Sequence, residues 1–164
     1  MSFHKTSETI VQVGDGTNTA ISTSTIGAIS VPNDVHGLLV TSVAANAFSS
    51  CGQLTGVTLP MYISAIDNQA FAGCTQLNQL ILLSVAAPTC AANAFDETTY
   101  TTCHVEIPKG RIEAYQTDAV WSKFSANLNE PLYAQGEFFT KKVGDYTYTL
   151  KVTSAKEKKS CYAV

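Results

Sequence analysis

Two stretches of the sequence repeat each other: AFSSCGQLTGVTLP at residues 47–60 and AFAGCTQLNQLILL at residues 70–83. Both place Phe, Cys and Leu at the same offsets and continue with an alternating apolar pattern. A third stretch, APTCAANAF at residues 87–95, ends on the same Ala-Phe pair, so that Phe48, Phe71 and Phe95 are 23 and 24 residues apart. A fixed spacing of this length indicates one structural unit that has been copied.

Each copy contains a short strand pattern. In Val57-Thr58-Leu59 two apolar side chains flank a polar one, which puts both apolar groups on the same face of a strand. One unit of this size cannot bury its own apolar face, whereas stacked units can. Equivalent side chains are then expected to form ladders through the stack. The expected ladder residues are Phe48, Phe71, Phe95, Cys51, Cys74, Leu54 and Leu77.

The cysteines allow two interpretations, a buried structural position or a metal or redox pair. Cys51 and Cys74 occupy the same position in two copies, and free cysteine is among the most buried residue types. The sequence holds five cysteines and no Cys-x-x-Cys motif, which favours buried thiols. A Cys90–Cys103 disulfide and a free Cys161 remain the alternative arrangement.

The pattern A-F-x-x-C-x-x-L-x-x-[IVL]-x-[IL]-P, complete at residues 47–60, resembles the BspA-type leucine-rich repeats of bacterial cell-surface proteins. The copy at residues 70–83 departs from it only at Leu83, which replaces the Pro, and the third copy keeps Ala94-Phe95. The Asn of the plain leucine-rich repeat is replaced by Tyr62 and Val85. The resemblance implies an exported surface protein with an adhesion-like role and an extracellular protein or glycan as its partner.

The expected fold is a β-rich leucine-rich-repeat solenoid of the α/β type, with about three coils of 23–24 residues, flanking strands and a helical closing segment. The expected domains are an N-terminal strand and leading cap (1–28), the coils (29–108), an aromatic closing segment (109–131) and a C-terminal β-hairpin (132–164). The closing segment contains Trp121, the only Trp, and an open array end needs such a cap. The alternation from Asp145 to Ser154 predicts one strand of the hairpin, SCYAV predicts its partner, and both can begin a further module.

Composition excludes several classes of function. Apolar residues make up 45% of the chain and charged residues 14%, with a net charge of -3, so neither disorder nor electrostatic capture of nucleic acid is expected. The longest apolar run, Leu80 to Ala87, is too short to span a bilayer. Residues 1–10 lack the apolar core of a signal peptide, which leaves two alternatives: a cytosolic protein, or an exported one whose leader is absent from this chain. The sequence leaves the oligomeric state open.

The search for chemistry yields no catalytic, cofactor or metal motif. The one enzymatic alternative is a hydrolase that uses Cys103 and His104, but adjacent residues on a strand point to opposite faces, which disfavours the pair. Function is therefore expected on the outward face of the strands. The candidate binding residues there are Thr55, Thr58, Asn78, Gln79, Ile81, His104 and Glu106.

Three hypotheses for function follow from these observations. The first is a non-catalytic surface module that contacts proteins or glycans, the second is a structural spacer within a larger exported protein, and the third is the hydrolase. Saturable binding separates the first from the second, and thiol reactivity separates the third from both.

Overall fold

The computed structural model describes residues 1–130 together with the three strands at 138–143, 146–152 and 161–163. Among the described residues, the elements in chain order are β1 (Phe3–Lys5), β2 (Ile10–Val13), β3 (Gly27–Ser30), β4 (Asp34–Val35), β5 (Leu38–Val43), β6 (Leu54–Leu59), β7 (Ala65–Ile66), β8 (Gln79–Leu82), β9 (Thr89–Cys90), α1 (Glu97–Thr102), β10 (His104–Glu106), α2 (Ile112–Gln116), a 3-10 helix (Trp121–Phe124), β11 (Leu128–Asn129), β12 (Phe138–Val143), β13 (Tyr146–Val152) and β14 (Cys161–Ala163).

Two sheets with parallel strands organise residues 1–130. Sheet A has the order β1-β2-β5-β7-β9, with β4 beside β5, and sheet B has the order β11-β10-β8-β6-β3. Every pair in sheet B is parallel, and in sheet A only the β1–β2 and β4–β5 pairs are antiparallel. The chain thus alternates between the sheets, and each unit of the repeat gives one short strand to each sheet.

The alternation runs through four units, although the sequence predicts about three. Strand β2 pairs in parallel with β5, and β3 pairs in parallel with β6, so both belong to the same two sheets as the repeat strands. The sequence indicates a leading copy only through the strand pattern at residues 27–32, because the Ala-Phe pair is missing. Ala20 lies where later units have Phe: its N–H donates to the Ala47 carbonyl at 2.6 Å, as the Phe48 N–H donates to the Ala70 carbonyl.

The strand register aligns equivalent positions of successive units. In sheet B, one inward row consists of Ile29, Val57, Leu80, Val105 and Leu128. In sheet A, Val43 pairs with Ile66 and Ile66 pairs with Cys90. The copies at residues 47–60 and 70–83 therefore stack in register, and the same apolar positions line the interior in each unit.

A stack of three aromatic rings runs through the interior. The ring centroids of Phe48 and Phe71 are 5.0 Å apart, and those of Phe71 and Phe95 are 4.9 Å apart with an interplanar angle of only 2°. All three rings are buried. Since the N–H groups of Phe48 and Phe71 also donate to carbonyls of the next unit, the ring stack and the backbone ladder hold neighbouring units in the same register.

The fourth unit differs from the two before it. Helix α1 replaces the Cys and Leu positions of the earlier copies, and the sequence predicts only a loop there. Its Tyr100 packs edge-on against Phe95 and Phe124, at 6.1 and 4.8 Å between ring centroids. The buried indole of Trp121 donates its Nε1–H to the Pro88 carbonyl at 2.7 Å. Aromatic side chains from two elements, α1 and the 3-10 helix, thus cover the last Phe of the stack.

A separate antiparallel sheet has the order β12-β13-β14. The sequence predicts β13 and β14 and their pairing, but not β12. The expected turn at residues 155–159 and the expected junction at residues 132–136 lie outside the described residues.

Candidate functional site

The outward face of sheet B presents two rows of side chains. In one row Gly56 pairs with Gln79 and Gln79 with His104, and in the other Thr58 pairs with Ile81 and Ile81 with Glu106. The second row continues to Asn129 on β11. These side chains alternate along each strand with the buried inward row, as the pleat of a β-strand requires. Most candidate residues from the sequence therefore lie on this one face.

An open depression of 410 Å³ lies on this face. It is lined by Asn78, Gln79, His104, Glu106 and Asn129. Four of these five are candidate residues from the sequence, whereas Thr55, Thr58 and Ile81 are half-buried beside the depression rather than in its lining.

Asn129 is the lining residue that the sequence analysis missed. It belongs to the closing segment, which was expected to be a helical cap, but Leu128 and Asn129 form a fifth strand that pairs with β10. The signal was present in the spacing, because Leu128 follows Val105 by 23 residues, the length of one unit.

A hydrogen bond organises the depression. The side-chain amide of Gln79 donates to Glu106 Oε1 at 2.9 Å. This bond joins strands β8 and β10 and fixes the position of the Glu106 carboxylate at the floor of the depression. Exposed amides and an exposed imidazole surround that carboxylate, so the site offers many hydrogen-bonding groups and one formal negative charge.

Exposed apolar side chains flank the depression where the strands of sheet B end. Leu83 follows β8 directly, on the outward side of the alternation that places Leu80 and Leu82 inside, and it is 46% exposed. Met61 and Tyr62 lie at the corresponding end of β6, and both are exposed. The face thus combines a polar depression with exposed apolar side chains near the ends of its strands.

The Cys103–His104 pair does not have the geometry of a nucleophile and its base. Cys103 is fully buried and points inward, whereas His104 is exposed on the opposite face. Burial raises the pKa of the Cys103 thiol to about 12, so the thiol is protonated at neutral pH. Since only the thiolate is a good nucleophile, the hydrolase hypothesis loses its central group.

The cysteines of the repeat are buried thiols that bond to the backbone. Cys74 Sγ donates to the Phe48 carbonyl at 3.0 Å, which links one unit to the preceding one. Burial, together with the neighbouring Cys51 thiol, raises the pKa of Cys74 to about 12. Burial also raises the pKa of Cys51. These thiols therefore act as hydrogen-bond donors between units.

The described residues contain neither a metal-binding cluster nor a membrane-spanning helix. In that part of the chain, no group of three or more His, Cys, Asp or Glu side chains is placed to hold a metal ion. The same part contains no helix that is both long enough and apolar enough to cross a bilayer.

Comparison with known proteins identifies one family. The family model described as BspA type Leucine rich repeat region (6 copies) matches residues 18–129, well over half of the 164-residue chain. The matched segment includes every strand of sheet B and all five residues that line the depression. No curated protein and no solved structure matches the chain.

Proposed function

Because the chain belongs to the BspA-type leucine-rich-repeat family, we propose that it is a non-catalytic module that contacts a protein partner through the outward face of sheet B. The observation that carries the proposal is the depression lined by Asn78, Gln79, His104, Glu106 and Asn129. It lies on the last strands of sheet B, and its lining groups are hydrogen-bond donors and acceptors. An extracellular glycan is the alternative partner for the same face.

The proposal extends to shape and domain organisation. The parallel pairing of successive units supports a short solenoid. Its coils extend further towards the N-terminus than the expected range of 29–108, because β2 and β3 form a first unit that includes much of the expected cap at residues 1–28. Residues 109–131 are the proposed closing segment and residues 132–164 a proposed further β unit. The burial of Trp121 and Phe124 against the last Phe of the stack supports the capping role of the closing segment.

The proposal also extends to location. The family resemblance supports an exported protein that is displayed at the cell surface, where an adhesion-like contact with host or neighbouring proteins is useful. Buried protonated thiols are compatible with such a location, since burial keeps them from the disulfide exchange that needs an accessible thiolate.

The test is a binding screen of the purified protein against arrays of extracellular-matrix proteins and of glycans. A triple variant, Asn78→Ala, Gln79→Ala and His104→Ala, removes three lining groups. A matched variant, Gln12→Ala, Ser42→Ala and Thr89→Ala, changes the outward row of sheet A, where these residues lie in register with one another or with Ala65.

Saturable binding to a protein that the first variant loses and the second keeps supports the proposal. Binding to glycans alone favours the alternative partner. If neither proteins nor glycans bind, the spacer hypothesis takes the place of the proposal.

A further inference from the structure

We infer that the depression receives an arginine side chain from the protein partner, with the guanidinium on Glu106 and the side-chain stem along Ile81 and Leu83. This inference rests on the proposed function and names the chemical group that the face recognises. Three features of sheet B carry it: the set of acceptors, the fixed carboxylate of Glu106 on β10, and the apolar border, which is the side chains of Ile81 and Leu83 on and just beyond the neighbouring strand β8.

The lining of the depression is rich in acceptors around one negative charge. Glu106 supplies a carboxylate, and Asn78, Gln79 and Asn129 each carry an amide oxygen. No Lys or Arg is among the described lining residues, so the described part of the lining offers the carboxylate no cation. A guanidinium brings five N–H donors and a positive charge, which complements both properties of the site.

The carboxylate is held in a defined position. The Gln79 amide, 2.9 Å from Glu106 Oε1, occupies one of the roughly four acceptor positions that a carboxylate has. The remaining positions suit the planar, two-pronged contact that arginine makes with carboxylates and lysine does not. A carboxylate that is already positioned loses little conformational freedom when the guanidinium arrives.

The apolar border fits the rest of the side chain. Ile81 is the register partner of Glu106 in the neighbouring strand, which puts the two Cα atoms about 4.8 Å apart. Leu83 lies two residues further along the chain and is 46% exposed. Arginine buries its three-carbon stem on apolar surface while its charged end stays polar. One side chain can therefore cover Ile81 and Leu83 and still reach Glu106.

The described lining residues include no Phe, Tyr or Trp, the side chains on which sugar rings usually stack. The lining itself therefore offers a glycan hydrogen bonds but little apolar contact, whereas arginine uses both the acceptors and the apolar side chains of Ile81 and Leu83. The geometry thus favours a protein partner over a glycan for this site.

The test uses three peptides of identical length, acetylated GRGRGRG, its lysine counterpart and its citrulline counterpart, titrated into the ¹⁵N-labelled full chain. Citrulline keeps the shape of arginine and removes its charge. The Glu106→Gln variant removes the carboxylate charge but keeps an acceptor for Gln79, and Leu83→Ser weakens the border. Glu113→Gln removes one exposed acid elsewhere and is the matched control for net charge.

We expect chemical-shift changes with the arginine peptide at Gln79, His104, Glu106 and Asn129. The unchanged protein should bind the citrulline peptide at least about tenfold more weakly than the arginine peptide, since a charge-assisted bond is lost. The Glu106→Gln variant should bind the arginine peptide more weakly by a similar factor. Leu83→Ser should weaken binding, and Glu113→Gln should not.

Three results overturn the inference: no shifts at the depression, shifts spread over the acidic surface and reduced equally by Glu113→Gln, or equal binding of the lysine and arginine peptides. A glycan that shifts the depression while the peptides do not also overturns it. If the inference fails but the triple variant still loses a protein partner in the binding screen, the proposed function stands with another recognised group.

Discussion

At the scale of single residues, one backbone position sets the turn that follows each Phe. Ser50 and Gly73 are one unit apart, and both have positive φ angles, of 59° and 75°. The Gly73 N–H donates to Asp96 Oδ2 at 2.8 Å, and a Cβ at Gly73 would lie 3.2 Å from Ser50 Cα. Two independent effects favour glycine at position 73, the left-handed conformation, which Ser50 adopts at a cost, and the close approach of the preceding unit.

Comparison of alanine substitutions at Gly73 and Gly110 separates the conformational effect from the effect of the close contact. Gly73→Ala should lower the free energy of unfolding by about 2 kcal/mol or more, because a left-handed alanine costs about 1–2 kcal/mol and the new Cβ presses on Ser50. Gly110→Ala has a similar φ of 76° with nothing within 4 Å of the added Cβ, so it reports the conformational cost alone. Urea denaturation of both variants measures the difference, and equal losses would show that the contact with Ser50 does not matter.

The buried thiols should be inert in the folded protein. At pH 8 a thiol with a pKa of about 12, such as Cys74, Cys90 or Cys103, is thiolate in roughly one part in ten thousand. In a Cys161→Ser background, iodoacetamide should therefore label the protein slowly until denaturant is added, as mass spectrometry will show. Fast labelling of Cys103 alone in the native protein would contradict this expectation and revive the hydrolase hypothesis.

At the scale of elements, the aromatic stack carries the largest single interactions. Phe71 contacts a ring on each side, whereas Phe48 and Phe95 lie at the ends of the stack. Phe71→Ala should cost about 3–5 kcal/mol, the usual range for a buried Phe, since the cavity opens between two rings that the backbone holds in place. Thermal and urea unfolding measure the loss. Leu39→Ala, at a site of β5 where the side chain is 37% exposed, should cost much less, and a similar loss in both variants would argue against the stack as the main core.

Helix α2 obtains its N-terminal cap from a residue 18 positions later in the chain. Glu130 accepts hydrogen bonds from the N–H groups of Gly110, Arg111 and Ile112. Burial of Glu130 acts to raise its pKa, but these bonds outweigh it and lower the pKa below the ordinary value of 4.5. A carboxylate at this place satisfies N–H groups that the short helix leaves without intrahelical partners.

The pH dependence of stability tests this cap. Because the pKa of Glu130 is lower in the folded state, its contribution is complete above pH 4.5 and is lost as the pH falls through the folded-state pKa. Glu130→Gln should therefore cost about 1 kcal/mol at pH 7, a typical value for a cap, and less in acid. Glu8→Gln, an exposed acid paired with Lys5, is the control. A Glu130→Gln deficit that does not shrink on acidification would contradict the role of the charge.

The elements differ in how far the sequence predicts them. Strands β6 and β8 follow from the alternation of Val57 with Leu59 and of Leu80 with Leu82, which only a strand can place on one face. Helix α1 does not follow, because ETTYTT has no periodic apolar stripe and Tyr100 alone anchors it. The role of Asn129 could not be predicted for a related reason: the two-residue strand β11 is too short to show an alternating pattern. Only the spacing of Leu128 from Val105, one unit length, indicates this strand.

At the scale of the whole molecule, the family is confirmed by the match over residues 18–129, as the pattern of Ala-Phe, Cys and Leu predicts. The division of the strands between two sheets, by contrast, could not be predicted from the sequence. The segments around Val43 and Ile66 are visible as apolar positions, but the sequence does not reveal that they pair as a second sheet, because β7 and β9 have only two residues each. Short strands depend on their neighbours in space rather than on their own pattern.

Because the strands pair in a parallel register, every added unit lengthens the array by the same distance. Each unit adds one strand to each sheet, and neighbouring strands are about 4.8 Å apart. The described lining of the depression comes only from the last strands of sheet B. Duplication of a unit nearer the N-terminus would therefore move the depression one strand spacing further from β1 and leave its lining intact. The number of copies thus sets the distance between β1 and the binding site, independently of the group that the site recognises.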